Sequence, residues 1–88
     1  MRLDQFLNKS GIIKRRSLAK ELCDRGAVDI NGRAAKASHE VKAGDKLSVK
    51  YPEKRSHYEV REIPTGNVRK EDRGNYAQLV SEDQFHSA

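Results

Sequence analysis

Apolar positions in the first nine residues follow a helical period. Leu3, Phe6 and Leu7 stand at i, i+3 and i+4, while Arg2, Gln5 and Lys9 fall off that stripe. The pattern predicts a short helix from Arg2 to Asn8, broken by Ser10-Gly11, with Ile12 and Ile13 buried in the link. A second helix is expected from Arg15 to Arg25. Leu18, Ala19, Leu22 and Cys23 share one of its faces, and Lys14, Arg16, Ser17, Lys20 and Asp24 look outward. Gly26 is placed to stop it in the left-handed conformation. Helices this short do not stand alone in water and must pack on each other and on something further.

The period then changes to two. Ala27–Ile30 reads as a strand, and Asn31-Gly32 after it is a tight-hairpin signal, because both central residues need positive φ. The chain returns over Arg33–Ala37, turns at Lys42–Asp45, and alternates again over Lys46–Tyr51, with Leu47, Val49 and Tyr51 on one face. Pro52 interrupts. His57–Ile63 forms a further alternating run, with Tyr58, Val60 and Glu62 on one side and His57, Glu59, Arg61 and Ile63 on the other. Pro64–Asn67 ends it, residues 68–75 read as a loop or a frayed helical turn, and Tyr76–Val80 fits either a docked helical turn or a short strand. Residues 81–88 are expected to be mobile. The fold class is therefore α+β: two packed N-terminal helices on a small, mostly antiparallel sheet. Residues 1–64 form the domain and residues 65–88 a charged, partly flexible extension.

Length and charge narrow this picture. Eighty-eight residues allow one domain with a modest core. Residues 1–50 hold 12 Lys+Arg against 6 Asp+Glu, a balance of +6, whereas residues 51–88 hold 6 against 7, a balance of −1. The positive field belongs to the first half, which points to a polyanionic partner. The single cysteine, Cys23, falls on the apolar face of the second helix and acts there as a small hydrophobe; one thiol makes no internal disulfide and fits a reducing cytoplasm. No apolar run suffices to span a membrane, and the charged start MRLDQFL does not resemble a signal peptide.

Enzymatic chemistry finds no support. His39, His57 and His86 lie in separate segments without Cys or carboxylate at metal-ligand spacing, and there is no phosphate loop or nucleophile elbow. Asp4, Asp24 and Asp29 have simpler roles: pairing with a neighbouring base on the first helix, preceding a helix stop, and lying on an exposed strand face. Neither a cofactor nor a metal is expected.

The cations remain. Arg16 and Lys20 share a helical face, Lys14 and Arg15 precede them, and Arg2 and Lys9 belong to the helix that should pack alongside. Cations at a helix N-terminus oppose the macrodipole, at a few tenths of a kcal/mol each. Their retention there suggests an anionic ligand that offsets the cost, set against the plainer reading of a solvated basic face. The predicted binding set is Arg2, Lys9, Lys14, Arg15, Arg16 and Lys20. There is no basic helix with exposed Trp or Phe for a membrane, no Asn or Gln set for reading base pairs, and no aromatic platform for stacking. Backbone recognition of folded RNA fits best.

These residues also carry a resemblance. Arg2-Leu3-Asp4, Phe6-Leu7, Arg16-Ser17-Leu18-Ala19-Lys20, the run Gly26–Gly32 and Gly44-Asp45 resemble the skeleton of the alpha-L RNA-binding domain first described in bacterial ribosomal protein S-four, over roughly residues 1–50. The small size and the KRRSLAKELCDRG run are similar to the stand-alone members of that family, the bacterial ribosome-associated quality control factors and the heat-shock proteins of fifteen kilodaltons. The resemblance implies binding to a large ribosomal subunit that still holds peptidyl-tRNA, through rRNA and tRNA backbone, with Arg2 and Arg16 among the contacts. It further implies steadying of the P-site tRNA while a partner protein extends the stalled chain with alanine. The free protein is expected to be a monomer. Two alternatives stay open: a heat-shock-type role in recycling dropped-off peptidyl-tRNA complexes, and a protein–protein adaptor in which HYEVREI offers an exposed sheet edge.

Overall fold

A computed structural model describes residues 1–64 and 76–84. Helix α1 spans Leu3–Lys9 and α2 spans Arg16–Asp24; the strands are β1 (Val28–Ile30), β2 (Arg33–Ala34), β3 (Lys46–Lys50), β4 (Lys54–Val60) and β5 (Ala77–Gln84). All five strands form one antiparallel sheet in the order β2-β1-β3-β4-β5.

One core joins the layers. Leu3, Phe6 and Leu7 of α1 meet Ala19, Leu22 and Cys23 of α2 and the inward residues Val28, Ile30, Leu47 and Val49 of the sheet. The α1 stripe is buried as its spacing predicts. On α2, however, Leu18 is 43% exposed. Successive helical residues turn by about 100°, so Leu18, Leu22, Ala19 and Cys23 spread over an arc of about 140°. Leu18 lies at the rim of that arc, in the first turn, where the core does not reach it.

The link between the helices is fixed by backbone accounting. Ile13 N–H donates to Leu7 O (2.9 Å), and Asn8 Nδ2 donates to Lys14 O (2.9 Å) and Ile13 O (3.3 Å). Ile13 is thereby held in the core, and the chain enters α2 at a set angle. Gly26, at φ 74°, ends α2 in the left-handed region that a side chain adopts only at a cost. The Asn31-Gly32 turn has φ of 52° and 85°, the paired positive values of a tight hairpin.

The second half departs from the expected pattern in three places. β4 begins at Lys54 rather than at His57 and ends at Val60, because Tyr51 N–H donates to Lys54 O (2.7 Å) and closes a short hairpin around Pro52. Arg61 and Glu62 N–H then turn to Tyr76 O (2.8 and 3.3 Å), leaving the ladder. Finally, Ala77–Gln84 is a strand along its whole length, paired with β4 through a bulge at His57/Tyr58. Ser81–Gln84, expected to be mobile, complete that strand, while residues 85–88 and the loop or turn expected over 68–75 lie outside the described residues. Since β5 covers β4, the HYEVREI run is not the sheet edge that the adaptor reading required.

Candidate nucleic-acid interface

Arg2 is the N-cap residue of α1, with extended backbone. It is pinned on both sides: Leu3 N–H donates to His39 O (2.8 Å) and Val41 N–H to Met1 O (2.9 Å), so Arg2 bridges to Glu40. Two residues on, Asp4 is 3% exposed. A buried carboxylate must be paired. Its Oδ1 accepts the Gln5 N–H at 2.8 Å and lies 3.3 Å from Arg2 Nε; its Oδ2 lies 3.7 Å from Arg16 Nε on α2. The expected partner on the first helix is found, and a second one arrives from the other helix. One buried charge thus gathers two guanidinium groups whose side chains are 51% and 52% exposed. Each guanidinium has five N–H donors in a fixed fork, and pairing through Nε leaves the terminal nitrogens for an outside acceptor.

The start of α2 continues this surface. Arg15 is the N-cap, no side chain caps the helix, and the first turn carries no acid. The N-terminal end of the helix dipole therefore stands beside Lys14, Arg15 and Arg16, all exposed. Lys20, one turn later, is also exposed. Leu18 emerges among these cations as an apolar knob. Of the six predicted binding residues, the structure brings Arg2 and Arg16 together directly. Lys14, Arg15 and Lys20 lie on exposed stretches of α2 and its entry, and Lys9 is half-buried at the end of α1. At the C-cap of α2, Arg25 Nη2 pairs with Glu21 Oε1 at 2.7 Å, an ion pair internal to the helix end.

Cys23 is buried beside this site, and its thiol is pushed up from 9.0 to about 11 by desolvation, then by the charges of Asp4 and Asp24. It is a protonated core group, as its place on the stripe predicts. Among the described residues no cluster of three His, Cys, Asp or Glu side chains could hold a metal ion.

Residues 1–47, which contain α1, α2, the hairpin and the start of β3, match the S4 domain model. The chain belongs to the S4 domain family. Both arginines around Asp4 lie inside the matched span of this S4 domain. The chain is 44% identical over 85 residues to a Bacillus subtilis protein named RQC P-site tRNA stabilizing factor, covering 97% of this chain and 98% of that one. It is 50% identical over 64 residues to a Helicobacter pylori protein of the same name, covering 73% and 76%. Among solved structures, it is similar in fold to the trimeric heat shock protein 15 of Vibrio cholerae, with a TM-score of 0.81 at 23% identity over 92% of this chain and 82% of that one. It is also similar to the solution structure of a hypothetical protein, with a TM-score of 0.79 at 44% identity over 92% and 98%.

One arrangement escaped sequence reasoning. Ser48 Oγ is hydrogen-bonded to His57 Nδ1 (2.8 Å), and His57 Nε2 to Asp83 Oδ2 (3.0 Å). The chain of contacts crosses from β3 through β4 to β5 and fastens the last strand to the sheet. Nothing local in the sequence signals it, because Asp83 lies 26 positions from His57.

Proposed function

We propose that this S4-domain chain is an RNA-binding factor without chemistry of its own. It acts on large ribosomal subunits that carry peptidyl-tRNA, holding the P-site tRNA while a partner protein extends the stalled chain with alanine. The observation that carries the reading is the Arg2–Asp4–Arg16 cluster: two exposed guanidiniums held in fixed relation by one buried carboxylate, next to an uncapped, acid-free helix start. Lys9, Lys14, Arg15 and Lys20 extend the contact. The relatives named RQC P-site tRNA stabilizing factor, at 44% and 50% identity, support the tRNA assignment. A tRNA contacted by both rRNA and this protein loses freedom to leave, which favours elongation over drop-off. Such work takes place in the cytoplasm.

Salt-dependent co-sedimentation with large subunits that carry peptidyl-tRNA tests the reading. Arg2→Ala and Arg16→Ala each weaken binding, and each lowers the salt slope by about 0.7–0.9 if one phosphate contact is lost. Unchanged co-sedimentation of both variants overturns the assignment. The alanine-tailing role is read from stalled chains in cells lacking the protein, which lose their alanine extensions. Release of peptidyl-tRNA with tails intact points instead to a heat-shock-type recycling factor.

A further inference from the structure

We infer that the sheet face turned away from the helices is a second phosphate-binding surface, centred on Lys50 and Arg55, for an RNA segment other than the one met by Arg2 and Arg16. The inference rests on the RNA-binding reading above and adds a second face to it.

The alternation of β3 sends Leu47 and Val49 into the core and Lys46, Ser48 and Lys50 to the opposite side. On β4, Ser56 and Val60 are buried, and Arg55 and His57 share the outer side with Lys50 and Ser48. The register places Lys50 directly opposite Arg55. Directly opposed residues have Cβ atoms about 4.5–5.5 Å apart, and like charges at that spacing are destabilising. Among the described residues neither cation forms an ion pair.

Three of the acids nearby are engaged elsewhere, and neither of the other two is paired with Lys50 or Arg55. Asp83 stands opposite Arg55 in the ladder, but its carboxylate meets His57 Nε2 at 3.0 Å. Glu82 accepts from Ser56 Oγ and Lys54 Nζ, and Glu59 lies beside Arg61. Asp29 sits across from Ser48 on β1, and exposed Glu53 lies in the turn. A sheet selected for stability alone would oppose Lys50 with an acid. A cationic pair kept at a directly opposed position fits phosphate oxygens; Ser48 and His57 beside it are bonded to each other and to Asp83. One stretch of backbone lying against α1 and α2 does not reach the far side of the core, so the two surfaces take two segments. The protein then acts as a spacer gripped from both sides, as holding a tRNA against a ribosomal subunit requires.

Hydroxyl-radical footprinting on large subunits carrying P-site tRNA tests this. The wild-type chain protects two separate RNA segments. Lys50→Ala/Arg55→Ala loses one protection and keeps the other, and Arg16→Ala does the converse. The double variant lowers the salt slope by about 1.4–1.8, two contacts at about 0.7–0.9 each. Its Tm at low ionic strength is equal to or above that of the wild type, because a like-charge contact is removed; Lys50→Gln/Arg55→Gln, which keeps more of the side-chain length, gives the same footprint. An unchanged footprint and salt slope in the double variant overturn the inference, as does loss of one and the same protection in both variants. If Arg16→Ala changes nothing while the double variant acts, the helix-face reading fails and the sheet face stands. Absence of any protection by the wild type sinks both.

Discussion

Arg16 Nε lies 3.7 Å from Oδ2 of Asp4, a carboxylate on the neighbouring helix that is itself almost wholly buried. The contact makes the helix–helix junction an electrostatic one as well as an apolar one. Asp4→Asn keeps the shape and an acceptor for the Gln5 N–H, but it removes the charge that draws the two guanidiniums together. Stability is expected to fall by about 1–3 kcal/mol, the usual cost of a buried polar group losing its charged partners. RNA affinity falls as well, even though the formal net charge rises from +5 by one. Urea unfolding and filter binding in parallel check both; tighter binding by the variant would show that total charge, and not its placement, governs recognition.

The buried thiol gives a prediction about pH. Burial, Asp4 and Asp24 raise Cys23 from 9.0 to about 11. A group whose folded value is raised contributes stability that is intact below the unfolded value and is lost as pH climbs through the folded one. The melting temperature therefore declines between about pH 9 and pH 11, and Cys23→Ser or Cys23→Ala removes that part of the decline. At pH 8 a thiol reagent labels the native protein slowly and the urea-unfolded protein fast. Equal rates would mean that the thiol is not sheltered by the two helices.

At the other end of the scale, Glu82 is held below the usual carboxylate range by the Ser56 hydroxyl first and the Lys54 ammonium second. The sign is opposite. The contribution is full above the ordinary value of 4.5 and disappears as pH falls through the lower folded value. Acidification from pH 6 to pH 3 should loosen β5 from β4, read as faster amide exchange over Ala77–Gln84. Glu82→Gln flattens that response. The effect is small, because the carboxylate is exposed to solvent, and an identical acid response in the variant would show that Glu82 is not its source.

Much of the first half was legible in the chain itself. Leu3, Phe6 and Leu7 at helical spacing, Gly26 past the second helix and Asn31-Gly32 between strands each encode local geometry through a few torsions and one neighbouring turn, so sequence order suffices to read them. The same holds for the concentration of cations at the start of α2, which sequence shows as a violation of helix-dipole preference. Sequence also reached Asp4 as the partner of a base. What it could not supply was the second base, because Arg16 reaches Asp4 only after α2 has packed on α1. Leu18 went astray for a related cause: periodicity assigns a residue to a side of a helix, but the width of the surface that covers that side is set by its neighbours. The long β5, the Ser48–His57–Asp83 tie and the opposition of Lys50 to Arg55 depend on strand register, a relation between residues separated by 5 to 26 positions. Local patterning therefore fixed the elements of the first half and the charges they carry, but not the last strand. Tertiary packing decided which of those charges meet, since electrostatic contact is a property of distance in space and the chain specifies only distance along itself.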